Sequence, residues 1–306
     1  MTKSRARYLC SNDYRKFLKK PEDFVVREVI DSKFLQKYQR ADKGVEKVGK
    51  YTLFLLKKRN MTTREAINRI AKMQKVPVNE FSYAGLKDRF ALTYQYVTVR
   101  GEIKPLKTDN LEISGIRKTG KRISVGDLVA NEFIITLHNC RNIKKVKKMP
   151  NFFGPQRFGR NMNNHLIGRC IVKRKWEKAL GLINKNSKNS YKEIRKVSKK
   201  MLKFFVNAYQ SWLFNRMLET AKKRTLPIIG YDTKPGKEVK EILGKERIEL
   251  KDFVVSELGI ACKGSKRKAF VSVSVDIKKE ADKTILRFRL PKGSYATILL
   301  GWMCKT

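Results

Sequence analysis

The sequence predicts an α+β fold in which a helical segment interrupts a strand-rich domain. Alternating apolar and polar residues, typical of half-buried strands, occur in parts of 24–137 and again in 268–290. Apolar residues repeat at helical spacing between 173 and 223, and the preceding residues 151–169 are rich in Gly and Asn. Strands at both ends and helices in the middle indicate a helical insertion in an α+β domain.

The charge of the chain predicts its class of partner. The sequence has 71 Lys and Arg against 28 Asp and Glu, a net charge of +43. Such an excess repels itself in a compact body unless a polyanion or counterions neutralise it, and nucleic acid is the natural polyanion. A basic surface without such a partner stays open as an alternative. An anionic membrane is disfavoured because no basic amphipathic helix with an exposed apolar face is visible.

Several other classes of protein and site are disfavoured. No run approaches the roughly 18 apolar residues of a membrane span, and the N-terminus lacks the apolar core of a secretory signal, so we expect a cytoplasmic protein. The 5 cysteines are scattered and only two histidines occur, which leaves no metal-ligand spacing. A Cys-His nucleophilic pair stays open, although nothing supports it. No glycine fingerprint for a nucleotide or dinucleotide is present.

The first elements are two strands and a helix. A strand is predicted to open at Phe24, just after Pro21, and the apolar run 51–58 predicts a buried strand. Between them, residues 32–50 predict a polar crossing. Helix 60–75 has the capping-box pair Thr62 and Glu65 at its start.

The next segment carries an aspartate in an unusual setting. A short strand at 81–84 and a strand at 92–100 flank a turn in which Asp88 lies between Lys87 and Arg89. The two cations would favour the ionised carboxylate, which suits a nucleophile or a base acting on a sugar carbon. An ordinary turn aspartate in surface ion pairs is the alternative, and spacing alone does not exclude it.

The remaining elements follow the same rules of periodicity and turn chemistry. We predict a hairpin over 111–123 with its turn at Thr119 and Gly120, a strand at 132–137 and a basic helix or loop at 141–148. Helices are predicted at 176–183, 192–221, 237–243 and 252–258, and strands at 268–276, 284–290 and in the C-terminal segment up to 300.

The segment around Asp88 resembles the signature of the TruD family of tRNA pseudouridine synthases, G-x-K-D-x-x-A-x-T-x-Q. All of its fixed letters are present: Gly85, Lys87, Asp88, Ala91, Thr93 and Gln95. Further strings similar to family motifs occur in the family's order at 21–28, 130–137, 151–160 with 164–169, and 290–297. The resemblance therefore covers the whole chain, in the manner of an archaeal member.

The resemblance implies a fold and an activity. Residues 1–154 and 271–306 would form a pseudouridine synthase catalytic domain with a mixed, largely antiparallel sheet. Residues 155–270 would form a mostly helical α/β TRUD insertion domain. The implied reaction isomerises a uridine of tRNA, in the family uridine-13, to pseudouridine without a cofactor or metal, and we expect a monomer.

The resemblance also implies roles for individual residues. Asp88 would be catalytic, either by attacking C1′ or by supporting a glycal route through C2′. Substrate contacts carry over to Phe24, Asn131 and Tyr295, and Phe133 would stack on the target base. Supporting or RNA-contacting roles are expected for Lys87, Arg89, Gln95, Arg157, Arg160, His165 and Arg169, with structural ion pairs as the alternative for the last four.

Two departures from the family pattern and one rival function accompany these expectations. The insertion is short for the family, and Gly301 and Trp302 occupy the place of the usual Arg-Glu pair. The rival is a non-catalytic RNA-binding or RNA-folding protein that has retained the fold.

Overall fold

The computed structural model describes residues 13–31, 49–140, 142–184 and 189–304, which divide into two compact units. The sheet unit comprises the described residues up to 147, together with 273–296 and 303–304. The helical unit comprises the described residues of 148–272 together with 297–302. The domain limits taken from the family stay a prediction, and the polar crossing predicted at 32–50 lies largely outside the described residues.

Among the described residues of the sheet unit, nine strands form one sheet in the order β14-β15-β7-β1-β4-β2-β6-β5, with β3 paired to β4. Strands β1 and β4 are parallel, and the other pairs are antiparallel. The predicted α+β class with a mixed sheet is confirmed. The strands are β1 Phe24–Ile30, β2 Tyr51–Arg59, β3 Phe81–Tyr83, β4 Leu92–Arg100, β5 Leu106–Lys107, β6 Leu111–Thr119, β7 Leu128–His138, β14 Val275–Lys279 and β15 Lys283–Pro291.

Helix α1, Thr63–Gln74, covers one face of this sheet. Its predicted capping box is present, with Thr62 and Glu65 exchanging hydrogen bonds. Ile67 and Ile70 recur at helical spacing, so both reach the core formed with strands β2 and β4. Burial of this stripe fixes the start of α1 against β4, which matters for the site below.

The helical unit is built from short helices around one long one. Its helices are α2 Pro155–Phe158, α3 Asn164–Val172, α4 Trp176–Leu182, α5 Ser190–Ile194, α6 Lys199–Leu218 and α7 Lys237–Glu246. Its strands are β8 Lys148–Pro150, β9 Thr225–Ile228, β10 Val254–Val255, β11 Ile260–Ala261, β12 Ser265–Lys268 and β13 Phe270–Ser272. The described strands of this unit form two-stranded pairs.

A close helix crossing organises the helical unit. Helices α3 and α6 approach so closely at Gly168 that a Cβ there would lie 2.0 Å from the carbonyl oxygen of Phe205. Only glycine permits this approach without a shift of the backbone. Ser198 caps the start of α6: its hydroxyl accepts a hydrogen bond from the main-chain N–H of Met201.

Five sequence predictions about individual elements were wrong. The strand predicted at 268–276 is divided between β13, Phe270–Ser272, and β14, Val275–Lys279, which lie in different sheets. The single helix predicted at 192–221 is two helices, because Ser198 caps a new one. The C-terminal segment forms helix α8, Ala296–Met303, after a turn at Gly293, whose φ of 82° ends the strand. Strand β6 ends at Thr119 and pairs with β2 and β5 instead of forming a hairpin up to 123. Residues 252–258 form 3₁₀ turns around β10. No helix in the described ranges has the length and apolarity to cross a membrane.

Candidate active site

The predicted substrate residues of the sheet unit lie on one face of its central strands. Phe133 on β7 is opposite Val26 on β1 and Phe288 on β15. Continuing across the sheet, Thr93 on β4 is the partner of Val26, and Lys58 on β2 is the partner of Thr93. Side chains in register on adjacent strands share a face. One row therefore runs from Phe288 to Lys58.

The neighbouring row contains Asn131, which is opposite Glu28 on β1 and Leu290 on β15. Asn131 is half-buried, and its Oδ1 is a buried acceptor without a hydrogen-bond partner among the described residues. An unsatisfied buried acceptor costs free energy that a ligand donor would recover. Tyr295 is half-buried in the segment between β15 and α8.

Two predicted aromatic contacts of the substrate are packed into this face. The rings of Phe133 and Phe288 are stacked with centroids 5.1 Å apart, and Phe24 meets Phe133 edge to face at 6.2 Å. Phe24 is 9% exposed and Phe133 is 8% exposed. Since Phe288 occupies one face of the Phe133 ring, stacking of a target base on Phe133 stays a prediction.

The loop that carries Asp88, residues 84–91, is tied to the sheet and to the start of α1. The Lys87 main-chain N–H donates to Thr63 Oγ1 at 2.9 Å, and Thr63 Oγ1 donates to Gln95 Oε1 at 2.8 Å. Gln95 Nε2 in turn donates to the carbonyl of Gly85 at 3.4 Å. Gln95 is fully buried, and its side chain links the loop to the start of α1. The Asp88 side chain is exposed.

The cations on either side of Asp88 are engaged with other carboxylates. Lys87 Nζ lies 2.5 Å from Glu28 Oε1, and the two side chains are 9% and 0% exposed. Burial raises the pKa of Glu28, and the Lys87 charge opposes that rise. Arg89 pairs with Glu65 at the exposed start of α1. Each of the two cations therefore has a carboxylate partner other than Asp88, and their effect on the Asp88 carboxylate stays a prediction.

Sequence reasoning missed Lys58. Its ammonium is fully buried and donates to the carbonyl of Met61 at 2.6 Å and to the carbonyl of Asp88 at 3.0 Å. Burial lowers the pKa of Lys58 to about 8, and the charge of Asp88 is the largest influence that opposes this fall. Strand alternation could have found it, because Lys58 falls on the same face as the buried Phe54 and Leu56.

Tyr14 was also missed. It is 2% exposed on the turn Asp13–Phe17. Burial raises the pKa of its hydroxyl, with the Asp88 charge adding to the rise.

The predicted RNA-contacting arginines of the helical unit differ in their surroundings. Arg169 Nε lies 2.6 Å from Glu246 Oε2, which also accepts from the Tyr209 hydroxyl at 2.8 Å, so Arg169 takes part in an ion pair within the helical unit and its contact with RNA stays a prediction. Arg157 Nε donates to Ser211 Oγ at 2.9 Å. Arg160 is exposed at the end of α2.

His165 is part of an aromatic cluster in the helical unit. Its ring is stacked on Trp212 at 5.8 Å and meets Phe158 edge to face at 5.1 Å. Burial, with a contribution from the charge of Arg169, lowers the pKa of His165 to about 4. The ring is therefore neutral at neutral pH and does not supply a cation to a phosphate. In the described residues, no group of three or more His, Cys, Asp or Glu side chains is arranged to hold a metal ion.

Comparison with known proteins extends over the whole chain. The profile of a family described as tRNA pseudouridine synthase D (TruD) matches residues 15–196, 180–230 and 221–301. A Nanoarchaeum equitans protein assigned as a tRNA pseudouridine synthase D is 29% identical over 371 aligned positions, covering 92% of this chain and 96% of that protein. The Aquifex aeolicus tRNA pseudouridine synthase D is 26% identical, again covering 92% and 96%.

A solved structure has the same fold. The crystal structure of a Methanosarcina mazei protein assigned to TruD superposes with a TM-score of 0.65 at 22% sequence identity, covering 93% of this chain and 92% of that one. The family profile covers nearly the whole sequence, and it includes the loop that carries Asp88 and the strands that carry Phe133 and Asn131. The chain belongs to the tRNA pseudouridine synthase D family.

Proposed function

We propose that the protein isomerises a uridine of tRNA to pseudouridine, with uridine-13 as the expected target and Asp88 as the catalytic residue. One observation carries this proposal. Among the six residues of the signature, Ala91, Thr93 and Gln95 are buried and the Lys87 ammonium is paired with Glu28, whereas the Asp88 side chain is exposed. A rigid loop that presents one carboxylate to solvent is suited to chemistry on a substrate.

The reaction balances without an oxidant or a cofactor. The bond between C1′ and N1 breaks, the uracil rotates, and a bond forms between C1′ and C5. The proton lost from C5 is matched by the proton that N1 gains, so substrate and product are isomers. The Asp88 carboxylate can serve either by attacking C1′, forming a covalent ester that C5 later displaces, or by taking the C2′ proton on a glycal route.

The sheet face that carries Asn131 and Phe24 provides groups that could bind a uridine flipped out of the RNA base stack. The unpartnered Oδ1 of Asn131 can accept a hydrogen bond from the N3–H of uracil or from a ribose hydroxyl. Phe24 and Tyr295 offer aromatic surface, and stacking recovers roughly 1–3 kcal/mol per base. The net charge of +43 supplies phosphate contacts that hold the RNA in register without reading its sequence.

The direct test is to incubate the protein with host tRNA and to map pseudouridine by carbodiimide modification. We expect wild type to form pseudouridine at one position and Asp88→Asn to form none, with tRNA affinity retained. Asp109→Asn is the matched control, because Asp109 is also exposed in a turn of the sheet unit. Equal activity in wild type and Asp88→Asn would overturn the assignment of Asp88.

The rival function gives the opposite result. A non-catalytic RNA-binding or RNA-folding protein would form no pseudouridine, and Asp88→Asn would leave both RNA binding and the cellular phenotype unchanged. The exposed carboxylate on a loop secured from several sides favours the enzyme, because binding of a polyanion does not call for a presented negative charge.

A further inference from the structure

Two large apolar side chains of the Asp88 loop are exposed. Leu86, two residues before Asp88, is 59% exposed, and Phe90, two residues after it, is 47% exposed. Phe90 is the most exposed phenylalanine among the described residues. Apolar side chains scattered singly over a surface need no explanation. Leu86 and Phe90, here called the apolar pair, are different because they flank the candidate catalytic carboxylate on one short loop.

The same loop buries other side chains. Ala84 and Ala91 at its two ends are 2% and 1% exposed, and the Lys87 side chain is 9% exposed where it meets Glu28. Among the described residues, no aromatic ring or cation stacks on Phe90. The apolar pair is therefore presented to solvent by a loop whose ends and centre are packed against the protein.

The main chain between the two members of the apolar pair is fixed. The Lys87 N–H donates to Thr63 Oγ1 at 2.9 Å. The Asp88 carbonyl accepts from the Lys58 ammonium at 3.0 Å. Groups that are already held in place lose little conformational freedom when a partner binds. The apolar pair is thus preorganised for contact with another molecule.

Exposed arginines lie close to the apolar pair. Arg89 precedes Phe90, and its side chain is 57% exposed although it pairs with Glu65. Arg64 is exposed and follows Thr63, the residue that binds the loop. Arginines favour phosphates, and apolar side chains favour the faces of nucleobases. RNA offers both groups in one molecule, so this combination fits RNA better than the apolar surface of a protein.

We infer that Leu86 and Phe90 form a wedge that stacks on the bases beside the target uridine once that uridine has been flipped towards Asp88. The inference rests on the proposed function. A uridine must leave its stack to expose C1′, and the bases on either side then lose a neighbour. Apolar side chains, Phe and Leu among them, are known to occupy the gap between unstacked bases.

The dimensions of the loop suit this role. Each member of the apolar pair is two residues from Asp88, so their Cα atoms lie within about 7 Å of the Asp88 Cα. Two bases that flank a removed one are also about 7 Å apart, at about 3.4 Å of helix axis per base. A side chain next to Asp88 can therefore reach a flanking base while the carboxylate faces the flipped nucleotide.

The test measures single-turnover pseudouridine formation on two substrates: intact tRNA, and tRNA in which the bases beside the target uridine are replaced by abasic ribose. On intact tRNA, Phe90→Ala should lower the rate about 10- to 100-fold, as expected for one lost stacking contact, and Leu86→Ala should lower it less. Phe90→Trp keeps a stacking face, so its rate should stay within threefold of wild type. On abasic tRNA, wild type and Phe90→Ala should differ by less than threefold, because the wedge has no flanking base to contact.

Met73→Ala is the matched control. Met73 is another apolar side chain of the sheet unit and is 53% exposed, but it lies near the C-terminal end of α1. Melting temperatures of all these variants should match wild type, because exposed side chains contribute little to folding. Affinity for tRNA should change little, since phosphate contacts dominate it.

Three results would overturn the wedge while leaving the proposed function intact. The first is a Phe90→Ala rate on intact tRNA within threefold of that of Met73→Ala, as expected if the apolar pair binds a protein instead. The second is an equal fractional loss on intact and abasic tRNA, which would mean that Phe90 acts on the loop. The third is a Phe90→Trp rate as low as that of Phe90→Ala. A wild type that forms no pseudouridine would overturn the proposed function and the wedge together.

Discussion

Each compact unit contains a glutamate that is largely buried, and the two glutamates are used differently. In the sheet unit, Glu28 and its partner Lys87 are both shielded from water, at 0% and 9% exposure. In the helical unit, the side chain of Glu246 is 10% exposed, whereas its partner Arg169 is 43% exposed. One pair is therefore closed, and the other keeps its cation in contact with solvent.

The difference teaches what each pair can do. A closed pair must remain complete, because loss of either partner leaves a charge stranded in the interior. Lys87 is next to Asp88 in the chain, so the closed pair fixes the loop that presents the carboxylate. An open pair tolerates change, since water can take over from a lost partner. The open pair joins α3 to α7 and is compatible with a surface that exchanges partners.

The largest effect is expected from removing the carboxylate of the closed pair. Glu28→Gln leaves the Lys87 ammonium buried without a counter-charge, so the free energy of unfolding should fall by about 3–5 kcal/mol. Glu246→Gln should lower it by only about 1 kcal/mol, because Arg169 remains hydrated. Urea denaturation of both variants measures the two losses. Equal decreases in the free energy of unfolding for the two variants would contradict the distinction between the closed and the open pair.

A smaller effect on folding is expected from two glycines, one in each unit. In Gly168→Ala the new Cβ would lie 2.0 Å from the Phe205 carbonyl oxygen, so the free energy of unfolding should fall by about 1–3 kcal/mol as α3 and α6 separate. In Gly85→Ala the new Cβ meets only Lys87 Nζ at 3.7 Å, and we expect a change below about 0.5 kcal/mol. Thermal melts of both variants are the measurement, and a larger loss for Gly85→Ala would contradict it.

The helical unit should contribute to the acid sensitivity of the protein through His165. Its pKa is lowered from 6.5 to about 4 in the folded protein by burial and by Arg169, so the unfolded chain binds the proton more readily. His165 therefore contributes stability that is present above pH 6.5 and is lost as pH falls towards 4. His165→Phe keeps a ring against Trp212 and removes the titration. Its urea midpoint should fall less than that of wild type between pH 7 and pH 4.5; parallel curves would contradict the prediction.

The smallest expected effect is on the salt dependence of tRNA affinity, which should differ between variants of two arginines of the helical unit. Affinity for tRNA should fall steeply as salt rises, and Arg160→Gln should reduce the slope of log K against log[salt] by about 1 if this exposed arginine contacts a phosphate. Arg169→Gln should change the slope less, because Arg169 is already committed to Glu246. Filter binding at several salt concentrations compares them, and the reverse order would contradict the assignment.

Much of the fold could be predicted from local patterns. The apolar run of β2, the alternation in β4 and the capping box of α1 follow from short-range rules, and the structure contains these elements. The C-terminal helix could not be found in this way. Its residues are apolar on all sides because most of them are buried, and a run without periodicity is equally compatible with a strand.

Of the candidate site, the sequence predicted Asp88 and the residues next to it in the chain, but not their contacts with distant residues. Asp88 was identified by a motif, and the residues beside it in sequence were credited with tuning it. In the structure Lys87 pairs with Glu28 and Arg89 pairs with Glu65. Both ion pairs join parts of the chain that are distant in sequence. Lys58 approaches Asp88 through sheet register and loop path, and neither is encoded in a short string of residues.

The strand order also has a consequence for folding during synthesis. Phe133 is stacked on Phe288, and Asn131 is opposite Leu290, so the sheet face that carries Phe133 and Asn131 needs β15 beside β7. This face cannot be complete until the ribosome has synthesised residues 283–291. Until then the growing chain already carries its basic segments and its Asp88 loop. In this state the candidate site still lacks the strand that carries Phe288 and Leu290.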